Sequence, residues 1–115
     1  MFRLFTPLPE VDVDTVAAQH LTGTAPLLVD VREPDEYRAG HVKASRNIPL
    51  GSLAQRIGEL PTDAPVHVIC RSGNRSAQAV RALNKAGLQT VNVKGGMLAW
   101  QRAGHPMRPK RATVA

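Results

Sequence analysis

Short apolar runs alternate along the chain with segments whose apolar positions recur every three to four residues. The clearest runs are LLVDV at 27–31 and VHVIC at 66–70, which are too short for helices and fit buried β-strands. Shorter runs at 46–48 and 90–93 predict two more strands. Because strands that alternate with helices favour parallel pairing, the pattern predicts an α/β fold with helices on both faces of a mainly parallel sheet.

The segments between these strands carry helical periodicity and residues that begin or end helices. The clearest is 76–86, in which Val80 and Leu83 form an apolar stripe and Gly87 provides the stop. The other predicted helices are 11–21, capped by Asp12 or Asp14; 34–39, between Pro34 and Gly40; 53–60, capped by Ser52; and 97–103, stopped by Gly104.

The chain of 115 residues is long enough for one domain with its own core, and we predict that residues 1–107 form it. Residues 108–115 are basic and are expected to form a flexible tail. The single cysteine excludes an internal disulfide and a multi-cysteine metal site, and it favours a reducing cytoplasm. Residues 1–14 do not resemble a signal peptide, and no apolar run approaches the roughly 20 residues of a membrane span. We therefore expect a cytoplasmic protein without membrane association.

Charge is distributed unevenly along the sequence. The net charge is +6, but all nine acidic residues lie at or before Asp63, so residues 64–115 carry only bases. This asymmetry favours an anionic ligand or an acidic partner protein. Nucleic acid is a weaker prediction, because no aromatic residues are interleaved with the bases and no nucleic-acid-binding motif is present.

The only cysteine, Cys70, lies between a predicted strand and a predicted helix, and the five residues RSGNR join the two. The connection must turn sharply, and Gly73 and Asn74 are the residues best able to adopt positive φ. Such a turn can point successive backbone N–H groups at one spot, where the helix adds its own unpaired N–H groups and partial positive charge. Arg71 and Arg75 add guanidinium groups, which match anionic oxygens.

These surroundings favour the thiolate form of Cys70, since cations and helix N-termini stabilise negative charge on sulfur. A thiolate beside an anion cradle predicts nucleophilic attack on an anionic substrate through a covalent cysteine intermediate. The alternative is an inert buried cysteine close to two solvated arginines. The convergence of a thiol, a glycine turn and two arginines in one loop favours the reactive cysteine.

Four motifs give the chain a family resemblance: DVREPDEYRAGHV at 30–42, NIPL at 47–50, CRSGNRS at 70–76 and KGGMLAW at 94–100. With them the chain resembles the single-domain rhodaneses, the thiosulfate sulfurtransferases, over most of its length. The resemblance implies a three-layer α/β/α sandwich around a mainly parallel five-stranded sheet. It also implies that Cys70 takes a sulfane sulfur from a donor such as thiosulfate and holds it as a persulfide. A thiol or cyanide would then accept the sulfur, and no metal or organic cofactor is expected.

The resemblance assigns roles to the residues of the loop. Cys70 matches the family's nucleophile. The residues matching the part that binds the donor and the persulfide are Arg71, Ser72, Gly73, Asn74, Arg75 and Ser76. Arg71 and Arg75 would hold the anionic end of thiosulfate. For Ser76 two roles are open, a hydroxyl that donates to the sulfur and a helix N-cap.

Several residues outside the loop also belong to the matched motifs. The resemblance places Asp30 and Arg32 near the loop as supporting residues, and we favour a structural ion pair between them. His41 is expected to be a hydrogen-bonded structural histidine, and Trp100 a core residue. Ala44 stands where the family usually has glycine, so positive φ at this position would add strain of about 1 kcal/mol.

Other functions are compatible with this fold. Phosphatases of the cell-cycle type have five residues between their cysteine and arginine and a histidine before the cysteine. Here four residues separate Cys70 from Arg75, and Ile69 precedes the cysteine, so we expect no phosphatase activity. An interaction module without turnover is disfavoured by the presence of Cys70 and both loop arginines. A persulfide carrier that passes sulfur to a protein such as thioredoxin, or to another acidic protein, stays open.

Overall fold

The computed structural model describes residues 7–114 as a five-stranded parallel sheet between two layers of helices. The strands are β1 Glu10–Val11, β2 Leu27–Asp30, β3 Arg46–Asn47, β4 Val66–Ile69 and β5 Thr90–Val93, and their spatial order is β1-β5-β4-β2-β3. The helices are α1 Val13–Thr22, α2 Pro34–Ala39, α3 Leu53–Arg56, α4 Asn74–Lys85 and α5 Gly96–Arg102. The predicted α/β class, the parallel sheet and the number of strands implied by the resemblance are confirmed.

The edge strand β1 was not predicted from the apolar pattern, which assigned Val11 to a helix. Its hydrogen bonds join it to β5: the N–H of Asn92 donates to the carbonyl of Pro9 at 2.8 Å, and that of Lys94 donates to Val11 at 2.9 Å. Two residues are too few to show the alternation that identifies a strand. The helix begins after Asp12, whose Oδ1 accepts from the N–H of Thr15 at 2.8 Å, so this predicted cap is confirmed.

The predicted single helix over 53–60 is wrong in its extent. The structure has one α-helical turn, α3, flanked by 3₁₀ turns at Leu50–Ser52 and Ile57–Glu59, and Ser52 makes no side-chain cap. Gly58 disfavours continuation of an α-helix, which accounts for the early end. The apolar residues Leu53 and Leu60 are nevertheless buried, so the segment still covers the sheet.

The core has two sides, because side chains of successive strand residues point to opposite faces of the sheet. Toward α3 and α4 lie Val29, Val31, Val66, Val68, Val80 and Leu83. Toward α1 and α5 lie Val16, Leu28, Ile69, Val93, Met97 and Trp100. Trp100 is a core residue as predicted, and its Nε1–H donates to the carbonyl of Pro106 at 2.9 Å. Cys70 falls on the α3/α4 side, directly after β4.

The C-terminal segment packs on the domain, which the prediction of a flexible tail did not anticipate. Arg108 forms an antiparallel bridge with His41, with backbone N–H to carbonyl distances of 3.0 and 2.8 Å. Ala112 and Val114 pack against the α1/α5 side of the core. Gly40 leaves room for this contact, since a Cβ built there would lie 2.8 Å from the Cβ of Ala112. None of the helices within residues 7–114 is long and apolar enough to cross a membrane.

Candidate active site

Cys70 lies at the carboxyl end of the sheet, where parallel α/β folds place their ligands. Its side chain is buried, and two hydrogen-bond donors point at Sγ. The backbone N–H of Gly73 lies 3.1 Å from the sulfur, and the hydroxyl of Ser76 lies 3.3 Å from it. Sγ therefore accepts from one backbone donor and one side-chain donor at the same time.

The loop is slightly shorter than predicted, because α4 begins at Asn74 rather than near Arg75 or Ser76. Of the two residues best able to adopt positive φ, Gly73 takes it, at 107°, whereas Asn74 is already helical. The early start places Ser76 inside the first turn of α4, where its side chain faces the sulfur. Of the two roles that were open for Ser76, the structure shows the hydroxyl that donates to Cys70.

The first turn of α4 therefore lies against the sulfur of Cys70. This helix has 12 residues, and its unpaired N–H groups carry partial positive charge at the end next to Cys70. Among the other loop residues, Arg71, Ser72 and Asn74 are exposed at the mouth of the site. The turn thus separates an inner part that holds the sulfur from an outer part that a substrate can reach.

Arg75 forms an ion pair that was not predicted. Its Nη1 and Nη2 donate to Oε1 and Oε2 of Glu36 at 2.7 and 2.9 Å, so the two groups meet as parallel forks. The hydrogen bonds from Arg75 lower the pKa of Glu36 to about 2. Glu36 in turn raises the pKa of Arg75, and the charges of Cys70 and Asp30 add to that effect. The predicted role of Arg75 as a ligand for thiosulfate must therefore compete with Glu36.

Glu36 lies in α2, in the stretch PDEYRAG, and is fixed by its own helix. Its Oε1 accepts from the backbone N–H of Glu33 at 3.0 Å, which forms part of a capping box at the start of α2. The sequence signal for this contact was a glutamate three residues after Glu33. That signal predicts the cap but not the contact with Arg75, which lies 39 residues away in the chain.

Asp30 and Arg32 form the structural ion pair that the sequence analysis favoured. Both are fully buried, and Nη2 of Arg32 lies 2.8 Å from Oδ2 of Asp30. Nε of Arg32 also donates to Oδ1 of Asp30 at 3.0 Å, while Nη2 and Nη1 donate to the backbone carbonyls of Gly40 at 2.7 Å and Glu36 at 3.3 Å. These contacts join the buried pair to α2, which carries Glu36, and to Gly40 directly after it.

The glycine turn and the first residues of α5 contact the backbone of the cysteine loop. The N–H of Met97 donates to the carbonyl of Cys70 at 2.8 Å, and that of Leu98 donates to Arg71 at 3.0 Å. A Cβ built on Gly96, which has φ of +58°, would lie 2.4 Å from the carbonyl oxygen of Cys70. The backbones can approach this closely only because the position is glycine. The signal in the sequence was the pair of glycines in KGGMLAW.

Two predictions about the segment after α2 are confirmed. Nδ1 of His41 lies 2.7 Å from the carbonyl oxygen of Tyr37, and the two rings stack with centroids 3.8 Å apart, so His41 is a hydrogen-bonded structural histidine. Ala44 has φ of 67°, and within residues 7–114 it is the only residue other than glycine with positive φ. The condition for strain at Ala44, a positive φ at a residue with a Cβ, is therefore met.

A cavity of about 560 Å³ lies elsewhere, between α1, α5 and residues 42–44, and none of the residues that line it belongs to the cysteine loop. Its lining is mostly apolar and includes Trp100. Within the described part of the chain, no group of three or more His, Cys, Asp or Glu side chains is placed to hold a metal ion. We therefore take the cysteine loop as the candidate active site because of the hydrogen bonds to Cys70, and not because it lines a cavity.

The family model described as the rhodanese-like domain matches residues 14–103. The chain belongs to the rhodanese-like domain family. The match includes the cysteine loop, α2 with Glu36 and the glycine turn before α5, so the whole site lies inside the rhodanese-like region.

Similar proteins agree with this membership. A protein of Allochromatium vinosum named sulfurtransferase is 34% identical over 99 residues, which are 85% of this chain and 92% of that protein. The Bacillus subtilis protein YqhL is 46% identical over 74 residues, 64% of this chain and 59% of that protein. The crystal structure of a rhodanese-related protein from Thermoplasma volcanium has 36% identity and a TM-score of 0.77, covering 86% of this chain and 96% of that one.

Proposed function

We propose that this protein is a sulfurtransferase that carries a sulfane sulfur on Cys70. The observation that carries the proposal is the convergence of two donors, the Gly73 N–H and the Ser76 hydroxyl, on the sulfur of the only cysteine. Membership of the rhodanese-like family and the name of the Allochromatium vinosum relative support the same class of reaction.

The reaction has two steps and a covalent intermediate. In the first, the Cys70 thiolate attacks the outer sulfur of a donor such as thiosulfate; a Cys70–sulfur bond forms, the donor's sulfur–sulfur bond breaks, and sulfite leaves with the electron pair. In the second, a thiol or cyanide attacks the outer sulfur of the persulfide and Cys70 leaves as a thiolate. Neither step requires an external oxidant or reductant.

In this proposal the loop stabilises negative charge on two species, the Cys70 thiolate and the persulfide that replaces it. The donors at Gly73 and Ser76 stabilise the thiolate before attack, and the positive end of α4 stabilises the terminal sulfur afterwards. We assign the donor's anionic end to Arg71 and Ser72, and their exposure supports this assignment. The loop between Cys70 and Arg75 is too short for a phosphoryl group, so we expect no hydrolysis of aryl phosphates.

The acceptor in the cell is proposed to be a thiol, either a small molecule or an acidic protein such as thioredoxin. The absence of acids after Asp63 supports an acidic partner, since the chain segment that carries Cys70 is basic throughout. A cytoplasmic setting, where Cys70 stays reduced, is part of the same proposal.

The test is sulfur transfer by purified protein and by Cys70→Ser. With thiosulfate and cyanide, the unchanged protein should form thiocyanate, and Cys70→Ser should lose all activity above the uncatalysed rate. Thermal unfolding of the variant provides the control, because Cys70→Ser replaces sulfur by a smaller polar atom and should leave a folded domain. Substantial thiocyanate formation by folded Cys70→Ser would rule out the assigned nucleophile.

A further inference from the structure

The carboxylate of Glu36 occupies the guanidinium fork of Arg75 at the edge of the site. Both charges are largely withdrawn from solvent, with side-chain exposures of 20% for Glu36 and 34% for Arg75. The hydrogen bond from the N–H of Glu33 holds the same carboxylate on the backbone of α2. Because both partners are fixed and share two short hydrogen bonds, the pair is preformed, and a ligand that bound the same edge of the guanidinium would have to displace the carboxylate.

Arg75 is nevertheless coupled to the reactive sulfur. It immediately precedes Ser76, whose hydroxyl donates to Cys70, and the charge of Cys70 contributes to the raised pKa of Arg75. A change in the net charge of the Arg75–Glu36 pair therefore changes the electrostatic potential beside Cys70, where the anionic donor would bind. The sequence alone suggests that this guanidinium is available to an anion, and the structure shows that an internal anion already holds it.

We propose that Glu36 determines which donor charge the site accepts, by neutralising Arg75 and disfavouring doubly charged donors such as thiosulfate relative to organic persulfides. This inference rests on the proposed persulfide chemistry of Cys70. Glu36 is a specificity-determining residue in this account and does not touch the reacting atoms.

The two donor classes differ in what leaves. Thiosulfate releases sulfite, whose oxygens carry two negative charges and need cationic donors. An organic persulfide, R–S–SH, releases a thiolate: Cys70 Sγ forms a bond to the outer sulfur, the R–S bond to that sulfur breaks, and R–S⁻ leaves with the electron pair. Cys70 then holds the persulfide and its proton, so atoms and charges balance without a further reactant. The second reaction places one negative charge beside Glu36 instead of two.

The discriminating experiment replaces Glu36 by glutamine and compares two donors. Glu36→Gln keeps the side-chain length and an oxygen for the N–H of Glu33, but it removes the charge that neutralises Arg75. Asp35→Asn is the matched control, because Asp35 is exposed on the same helical turn and the change removes the same charge. Thiosulfate and the persulfide of 2-mercaptoethanol are the probes, with KM and kcat measured for each.

Glu36→Gln should lower KM for thiosulfate by about three- to tenfold, the range expected for one partly exposed charge-assisted contact. Its kcat/KM for the persulfide should stay within about twofold, and Asp35→Asn should leave the ratio of the two donors unchanged. A merely structural Glu36 would instead weaken both donors together. Equal effects on both donors, or a higher KM for thiosulfate, would overturn the inference.

A second variant keeps the inference testable if Glu36→Gln folds poorly. Arg75→Gln leaves the carboxylate of Glu36 without its partner, so thiosulfate should lose at least threefold more kcat/KM than the persulfide. Mass spectrometry of the unchanged protein distinguishes failure of the proposed function from failure of the role proposed for Glu36. If neither donor adds sulfur to Cys70, the proposed function fails; if both add sulfur and the variants leave their ratio unchanged, only the role of Glu36 fails.

Discussion

Gly96→Ala is the substitution that most directly tests how the site is supported. The residue has φ of +58°, and an added Cβ would lie 2.4 Å from the carbonyl oxygen of Cys70 and 2.6 Å from that of Arg71. Backbone atoms cannot move aside as a flexible side chain can. The cysteine loop and the start of α5 must therefore separate, which breaks the hydrogen bonds from Met97 and Leu98 to the loop carbonyls.

The expected cost follows from these contacts. Positive φ at a residue with a Cβ costs about 1–2 kcal/mol, and each lost backbone hydrogen bond costs roughly 0.5–1.5 kcal/mol. Together they predict that Gly96→Ala lowers the free energy of unfolding by about 2–5 kcal/mol, a large share of the roughly 5–15 kcal/mol of a typical domain. Displacement of Cys70 from the Gly73 and Ser76 donors should also lower kcat/KM for sulfur transfer by about tenfold or more.

Gly104→Ala is the matched control. Gly104 also has positive φ, +78°, but a Cβ there would meet nothing within 4 Å. Gly104→Ala should cost only the backbone strain, about 1–2 kcal/mol, and leave kcat/KM unchanged. Urea unfolding and steady-state kinetics of both variants provide the comparison. Equal losses of stability and activity in the two variants would refute the claim that the α5 turn holds the cysteine loop.

Three further predictions concern residues around the site. Ala44→Gly should raise the free energy of unfolding by about 0.5–1 kcal/mol in urea titrations, because relief of positive-φ strain exceeds the added freedom of the unfolded chain; a loss of stability would contradict it. Arg32→Met should lower that free energy by about 3–5 kcal/mol, since Asp30 is left buried without its partner, and an unchanged melting temperature would count against this. Because the pKa of Glu36 is lowered from 4.5 to about 2, its ion pair contributes fully above about pH 4.5 and is lost as pH falls toward 2. After allowance for solvent screening this contribution is about 1–2 kcal/mol, and Glu36→Gln should flatten the fall in stability over that range, whereas an unchanged slope would show that the pair contributes nothing.

The parts of the fold that follow from local pattern were predictable. The strand that ends before Cys70 and the glycine turn after it are determined by residues close together in the sequence. Because Cys70 directly follows that strand, its position at the carboxyl edge of the sheet could be predicted. The strain at Ala44 was likewise accessible, because it depends on one φ angle and on the residue type that the family usually has there.

The rest depends on contacts between distant segments. No local signal pairs Glu36 with Arg75, because the two residues are 39 positions apart in the chain and are brought together by the packing of α2 and α4 in the folded domain. The same holds for β1, whose two residues are recognisable as a strand only through their bonds to β5. The C-terminal segment resembles a tail by composition, and its packing depends on the open position at Gly40.

The intact mass of the protein after incubation with a sulfur donor shows whether Cys70 carries sulfur. We expect a gain of one sulfur atom on the unchanged protein, its reversal by cyanide, and no gain on Cys70→Ser. Thiosulfate and an organic persulfide should both produce the adduct, at different rates. A protein that gains no sulfur from either donor, or a folded Cys70→Ser variant that gains it equally well, would contradict the account.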